Sequence, residues 1–271
     1  MKAISLLFLF WSITSILMAQ EGKVFDDLSM ESKILKMDRK YAVYLPPDYE
    51  TSQRSYPVLY LLHGGGNNQS TWVQHGEVMS ITDKAIKEGI ATPMIIVMPD
   101  ASGEHRGYTN DPQGEWLFED FFFQEFMPFI EKTYRIRPVK RYRAIAGLSM
   151  GGKGTFIYAL HHPELFVAAC PLSAGAGPPS VNRIEQLKER LSGIDPDMPD
   201  SLLIEYYYRQ MGGNILELIN NIPDNQIKAV RWYVDCGDDD PNNYEGNCLV
   251  HIAMRKKEIP HEFRIRDGAH T

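Results

Sequence analysis

Residues 142–154 read Tyr142-Arg-Ala-Ile-Ala-Gly147-Leu-Ser149-Met-Gly151-Gly-Lys-Gly154, and this stretch decides the fold. Tyr142–Ala146 is a short apolar run, as expected of a strand buried on both faces. Met150–Leu160 reads as a helix. Between them, Gly147-Leu-Ser-Met-Gly151 fits the pattern G-x-S-x-G. By itself that pattern is weak, because glycine-containing loops match it by chance. Here the strand before it and the helix after it supply the context that the chemistry needs: a serine on a tight strand-to-helix turn. Small flanking residues let the backbone turn without side-chain clashes, and Gly152 and Gly154 let the helix pack close to the strand. The helix N-terminus sets partial positive charge beside Ser149, the candidate nucleophile.

Working outward, the chain alternates strand-like and helix-like segments. Tyr41–Leu45 alternates as a strand and stops at Pro46-Pro47; Val58–Leu62 and Met94–Met98 are further buried strands. Phe166–Leu172, Val230–Asp235 and Glu262–Ile265 are strand-like. Helical spacing appears over Glu77–Lys87, Leu117–Tyr134, Glu245–Glu258 and, less regularly, Val181–Ile222. This alternation predicts an α/β fold, a mostly parallel sheet with helices on both faces. Ligands then bind beyond the carboxyl ends of the strands.

The loop after Val58–Leu62 is His63-Gly-Gly-Gly66. A glycine run there brings backbone N–H groups close to a reacting carbonyl, and such donors stabilise a tetrahedral oxyanion. Gly65 and Met150 are the expected pair, with Gly66 in reserve. His63 reads as structural, since it lies in the donor loop.

A hydrolase of this topology orders its triad as serine, acid, histidine. His270 lies directly after the last strand and is the expected base, ahead of His251 in a helical stretch and His261 at a strand start. Histidine suits that role because imidazole as a side-chain type can take and return a proton near neutrality. Asp238, Asp239 and Asp240 follow the strand Val230–Val234, and spacing alone does not choose among them; Asp235 reads as the strand end. The same acidic run also reads as a solvated or cation-binding loop. No histidine, cysteine and carboxylate set has metal-ligand spacing, so neither a metal nor another cofactor is expected.

The 271-residue chain is long enough for one large α/β domain. It is 44% hydrophobic and 23% charged, with a formal net charge of −7. That composition argues against disorder, a multi-span membrane protein and a nucleic-acid partner. Lys2 followed by the apolar run Ala3–Met18 reads as a secretory signal peptide over residues 1–19, cleaved near Ala19. The run is short for a membrane span. The expectation is an exported domain over residues 20–271 that is free of the membrane after cleavage. The alternative is an uncleaved anchor. Cys236 and Cys248 are close enough in sequence to pair, leaving Cys170 free; otherwise all three are reduced.

Five segments carry a family resemblance: Tyr41-Ala-Val-Tyr-Leu-Pro46, Tyr60-Leu-Leu-His-Gly-Gly65, Gly147-Leu-Ser-Met-Gly-Gly152, His162-Pro-Glu-Leu-Phe166 and Gly268-Ala-His270. Together they resemble the esterase D-like branch of the α/β-hydrolases, above all its feruloyl and acetyl-xylan esterases. The resemblance implies the α/β-hydrolase fold and an acylated Ser149. It also implies a triad acid in a Gly-x-x-Asp segment, which is Gly237–Asp240 and selects Asp240. Trp72 and Trp116 become substrate-contact candidates, with core packing the equal alternative for each. Members usually continue with a further helix, whereas this sequence stops at Thr271. The expected function is hydrolysis of feruloyl or acetyl esters on xylan or its oligosaccharides. The alternatives are an acyltransferase similar to the mycolyltransferases and a non-catalytic carbohydrate-binding protein. Oligomeric state has no signal in the sequence.

Overall fold

In the computed structural model, residues 20–103, 107–191, 193 and 197–270 are described. The expected leader, residues 1–19, lies outside them. Eight strands form one sheet: β1 (Lys23–Ser32), β2 (Met37–Leu45), β3 (Val58–Leu62), β4 (Ile95–Pro99), β5 (Arg143–Leu148), β6 (Ala168–Leu172), β7 (Arg231–Gly237) and β8 (His261–Arg266). Their order is β1-β2-β4-β3-β5-β6-β7-β8. In that order the strands from β4 through β3 to β8 are mutually parallel, while β2 pairs antiparallel with both β4 and β1. The apolar runs of the sequence are the inner strands, buried on both faces as parallel strands require. β1 left no such run. Its side chains alternate between exposed and half-buried, and pairing with β2 makes it a strand.

The chain passes from β3 to β4 on one side and returns to β5 on the other. The order therefore reverses between β3 and β5, and their C-terminal loops part to leave a crevice. Those two loops carry His63–Gly66 and Ser149.

The helices are α1 (Thr71–Gln74), α2 (Val78–Lys87), α3 (Phe118–Phe121), α4 (Met127–Thr133), α5 (Met150–His161), α6 (Val181–Leu191), α7 (Asp200–Gln210), α8 (Ile215–Asn221), α9 (Asp224–Ile227) and α10 (Tyr244–Lys256). α3 and α4 are joined by a π-helical turn, Phe122–Phe126, so the expected helix over 117–134 is one continuous but irregular path. The wider turn sets Phe118, Phe121, Phe122 and Phe126 all within the core. α5 is buried from Gly151 to Leu160, which explains why it is apolar on every side.

Coverage of the two faces is unequal. The main core holds most of the helices. On the other face, a smaller cluster joins α1 and α2 to Ala42, Tyr44, Leu61, Ile96, Met98 and Ala146. Farther along that face, alternate residues of β6 and β7 are only half-buried. Among the described residues, no helix is long and apolar enough to cross a membrane. Cys170, Cys236 and Cys248 are free thiols, so the reduced alternative holds.

Candidate active site

Ser149 sits where β5 turns into α5, with φ of 59° and ψ of −113°. Such a backbone costs a non-glycine residue about 1–3 kcal/mol and is kept only where its surroundings fix it. The fixing contacts are backbone ones. The Ser149 N–H donates to Leu172 O at 2.9 Å, and Lys153 N–H donates to Ser149 O at 2.9 Å. The motif's second glycine is required by contact: a Cβ on Gly151 would overlap the carbonyl oxygens of Leu62 and His63.

His270 Nε2 lies 2.9 Å from Ser149 Oγ. On the opposite side of the ring, Nδ1 lies 2.7 Å from Asp240 Oδ2. Since the carboxylate can only accept, Nδ1 carries the proton and Nε2 is left to accept from the serine hydroxyl. Asp240 has no exposed surface. Its oxygens accept the backbone N–H groups of Asn242 and Asn243, both at 3.2 Å, and the Asn243 amide at 3.0 Å. Burial alone would raise this carboxyl. The hydrogen bonds from His270 and Asn243 outweigh it and hold the group below the ordinary carboxylate range. Asp238 and Asp239 are exposed, so burial and partners single out Asp240 from the three candidates.

Two loops are stitched together to make this pair. Asp238 N–H donates to Arg266 O and Asp239 N–H to Gly268 O, each at 2.9 Å. The Asp238 carboxylate accepts Gly268 N–H at 3.1 Å. Gly237 makes the approach feasible, since a Cβ there would collide with the carbonyl oxygens of Gly268 and Ala269.

The glycine loop passes directly over the elbow. A Cβ built on Gly64 would lie 3.7 Å from Ser149 Cβ, and one on Gly65 would lie 3.9 Å from Met150 Cβ. Met150 is the first residue of α5, so its N–H has no intrahelical acceptor. His63 is structural, as its position suggested. It is 2% exposed, Nδ1 donates to Gly64 O at 2.8 Å, and Nε2 accepts Ala101 N–H at 2.9 Å. It thereby pins the loop after β3 to the loop after β4. His251 and His261 contact each other, Nδ1 to Nε2, at 2.7 Å, and neither touches the serine.

The two tryptophans part company. Trp72, on α1, is half-buried, and its indole N–H donates to Leu62 O at 3.1 Å, beside the glycine loop. Trp116 is 5% exposed, stacked on Phe118, and donates to Gly107 O at 2.9 Å. The Arg39 guanidinium also lies 5.2 Å from the ring centroid, so Trp116 takes the core-packing alternative.

A pocket of about 200 Å³ adjoins the elbow, lined by His63, Gly66, Asn67, Ser102, Gly103 and Met150. A larger cavity of about 450 Å³ opens at the other end of the strands, around Tyr56, Val58 and Arg143, and takes no part in this site. Asn243 and Lys153 went unnoticed in the sequence. Asn243 carries no motif, and Lys153 was hidden by the glycines around it.

A parallel sheet with a strained serine at the switch point, and a histidine and a buried aspartate aligned behind it, defines the α/β-hydrolase class. Within that class, the chain belongs to the putative esterase family, whose sequence model matches residues 32–249. A solved ferulic acid esterase is 35% identical, with a TM-score of 0.79, over 93% of this chain and 92% of that one. An esterase of Mycobacterium tuberculosis is 39% identical over 145 residues, which are 52% of this chain and 29% of that protein. An endo-1,4-beta-xylanase/feruloyl esterase of Xylanibacter ruminicola is 38% identical over 135 residues, 46% of this chain and 18% of that protein. The chain thus spans less than a third of the length of these two curated relatives.

Proposed function

We propose that the chain is an exported serine carboxylesterase that releases feruloyl or acetyl groups from xylan or xylo-oligosaccharides. The observation that carries this reading is the unbroken row Ser149 Oγ, His270 Nε2, His270 Nδ1, Asp240 Oδ2, with links of 2.9 and 2.7 Å. In this reading His270 takes the Ser149 proton as Oγ attacks the ester carbonyl. The developing oxyanion is held by the N–H groups of Gly65 and Met150, helped by the positive end of α5. His270 returns the proton to the leaving alcohol, giving an acyl-serine. Water, activated by the same histidine, then releases the acid. Asp240 keeps Nδ1 protonated and stabilises the imidazolium.

The substrate class is supported by the relatives named as feruloyl esterases, one of them aligned over nearly the full chain. Export is supported by the apolar leader at residues 1–19 and suits a polymeric substrate. In this reading Trp72, half-buried and bonded to Leu62 O beside the glycine loop, is the candidate aromatic for a substrate contact.

Purified protein is incubated with methyl ferulate and with acetylated xylo-oligosaccharide beside a Ser149→Ala control. Acid released by the wild type and not by the variant supports the reading and ranks the two acyl groups. Equal release by both refutes the serine mechanism.

A further inference from the structure

One turn into α5 lies a buried lysine that the proposed chemistry does not use. Lys153 is only 7% exposed. Its amide is bonded to Ser149 O, so its backbone is part of the elbow. Long helical side chains lean back over the preceding turn. From Lys153 that direction runs back along the first turn of α5, which opens at Met150 directly after Ser149. One helix between β6 and β7, α7, lays Tyr207 over the ammonium, with Nζ 5.3 Å from the ring centroid. Another, α6, brings up a second cation, Arg183.

Among the described residues, no carboxylate pairs with Lys153. An ammonium largely withdrawn from water favours an anion beside it, and a tyrosine face replaces only part of what water gave. Burial, reinforced by the like charge of Arg183, pushes the Lys153 pKa down to about 7. A lysine that served only to seat α7 on α5 could be replaced by an apolar side chain against the ring. It would gain nothing from a second positive charge nearby.

We propose that Lys153 is a specificity-determining residue that, with Arg183 at the rim, binds a carboxylate carried by the ester substrate close to its scissile bond. This rests on the esterase reading and narrows it to acidic esters. The carboxylate belongs either to the acyl group or to a uronic acid on the sugar; both present the same chemistry to an ammonium.

Two matched pairs separate those sources. 4-Nitrophenyl hemisuccinate against 4-nitrophenyl butyrate tests the acyl side. Acetylated xylo-oligosaccharides with and without a glucuronic acid branch test the sugar side. The wild type should prefer the acidic member of one pair by about tenfold or more in kcat/KM. In Lys153→Met that ratio should collapse toward one, mainly through KM. Lys153→Arg, which keeps the charge, should retain most of it and guards against a folding artefact. Binding is read separately by calorimetry of Ser149→Ala with succinate and with the acidic oligosaccharide, with and without Lys153→Met. A wild type indifferent to charge in both pairs overturns the proposal, and so does a Lys153→Met variant that keeps the preference. If no form hydrolyses any ester, the esterase reading has failed and calorimetry alone decides. Lysine-dependent binding of the acidic ligand then upholds the anion site, and binding that ignores Lys153 ends it.

Discussion

Asp240 Oδ2 lies 2.7 Å from His270 Nδ1, across thirty residues of sequence, and the carboxylate has no exposed surface. The contact fixes which ring nitrogen carries the proton, and so which one faces Ser149. Asp240→Asn should leave the fold intact and lower kcat by about 10³–10⁴-fold, because an amide can hold the wrong tautomer. Circular dichroism and kcat on methyl ferulate, measured on one preparation, check both halves of that statement.

The same carboxylate makes part of the stability depend on pH. Its folded pKa is depressed by the hydrogen bonds from His270 and Asn243, which outweigh burial. The stabilisation is therefore complete above the ordinary carboxylate value, about 3.9, and is lost as pH falls through the lower folded value. The stability gap between wild type and Asp240→Asn should narrow as pH drops below about 4. Urea unfolding from pH 7 to pH 3 measures it; a constant gap would remove Asp240 from the linkage.

Asn243 holds the acid without touching the serine, which makes it a positioning residue. Asn243→Ala removes the side-chain donor, so the Asp240 carboxyl rises. The acid limb of the kcat profile should move to higher pH, and kcat should fall by about tenfold, in line with loss of an orienting partner. Asn243→Asp, which brings a second carboxylate to Asp240, should be worse; if both variants match the wild-type profile, the role is packing alone.

Gly237→Ala drives a methyl group into the carbonyls of Gly268 and Ala269. Overpacking of this kind costs about 1–3 kcal/mol. Here the displaced segment also carries His270, so activity should fall much further than the change in Tm alone explains.

The two tryptophans should separate in opposite directions. Trp116→Ala empties a core site and should cost about 3–5 kcal/mol of stability. Trp72→Ala should raise KM while moving Tm far less. A stable Trp116→Ala with a raised KM would reinstate that residue as a substrate contact.

The parts of this fold that sequence reveals are those whose residues have one use. Continuous apolar runs can only be inner strands, and a serine between glycines after such a run has little choice of geometry. His270 was legible for the same reason: it follows the last strand. The choice of Asp240 over its two neighbours was not legible from spacing, because three adjacent aspartates look alike until the backbone stitching to Gly268 and Arg266 buries one of them. The resemblance supplied what spacing could not. The place of Trp116 was not legible because a loop aromatic gives no sign of turning inward until Phe118 and Gly107 receive it. β1 was missed because a half-exposed edge strand has no hydrophobic signature of its own.

Among the described residues β8 pairs only with β7, and the loop that carries His270 follows β8 and is tied to the loop after β7. Outer strands are the first to open when a protein is warmed. Detaching this one would withdraw the imidazole from Ser149 while the Phe-rich interior stays intact. The chain therefore contains its own fuse. Thermal inactivation should run ahead of global melting and reverse on cooling, and the width of that interval would report how tightly a single strand is fastened.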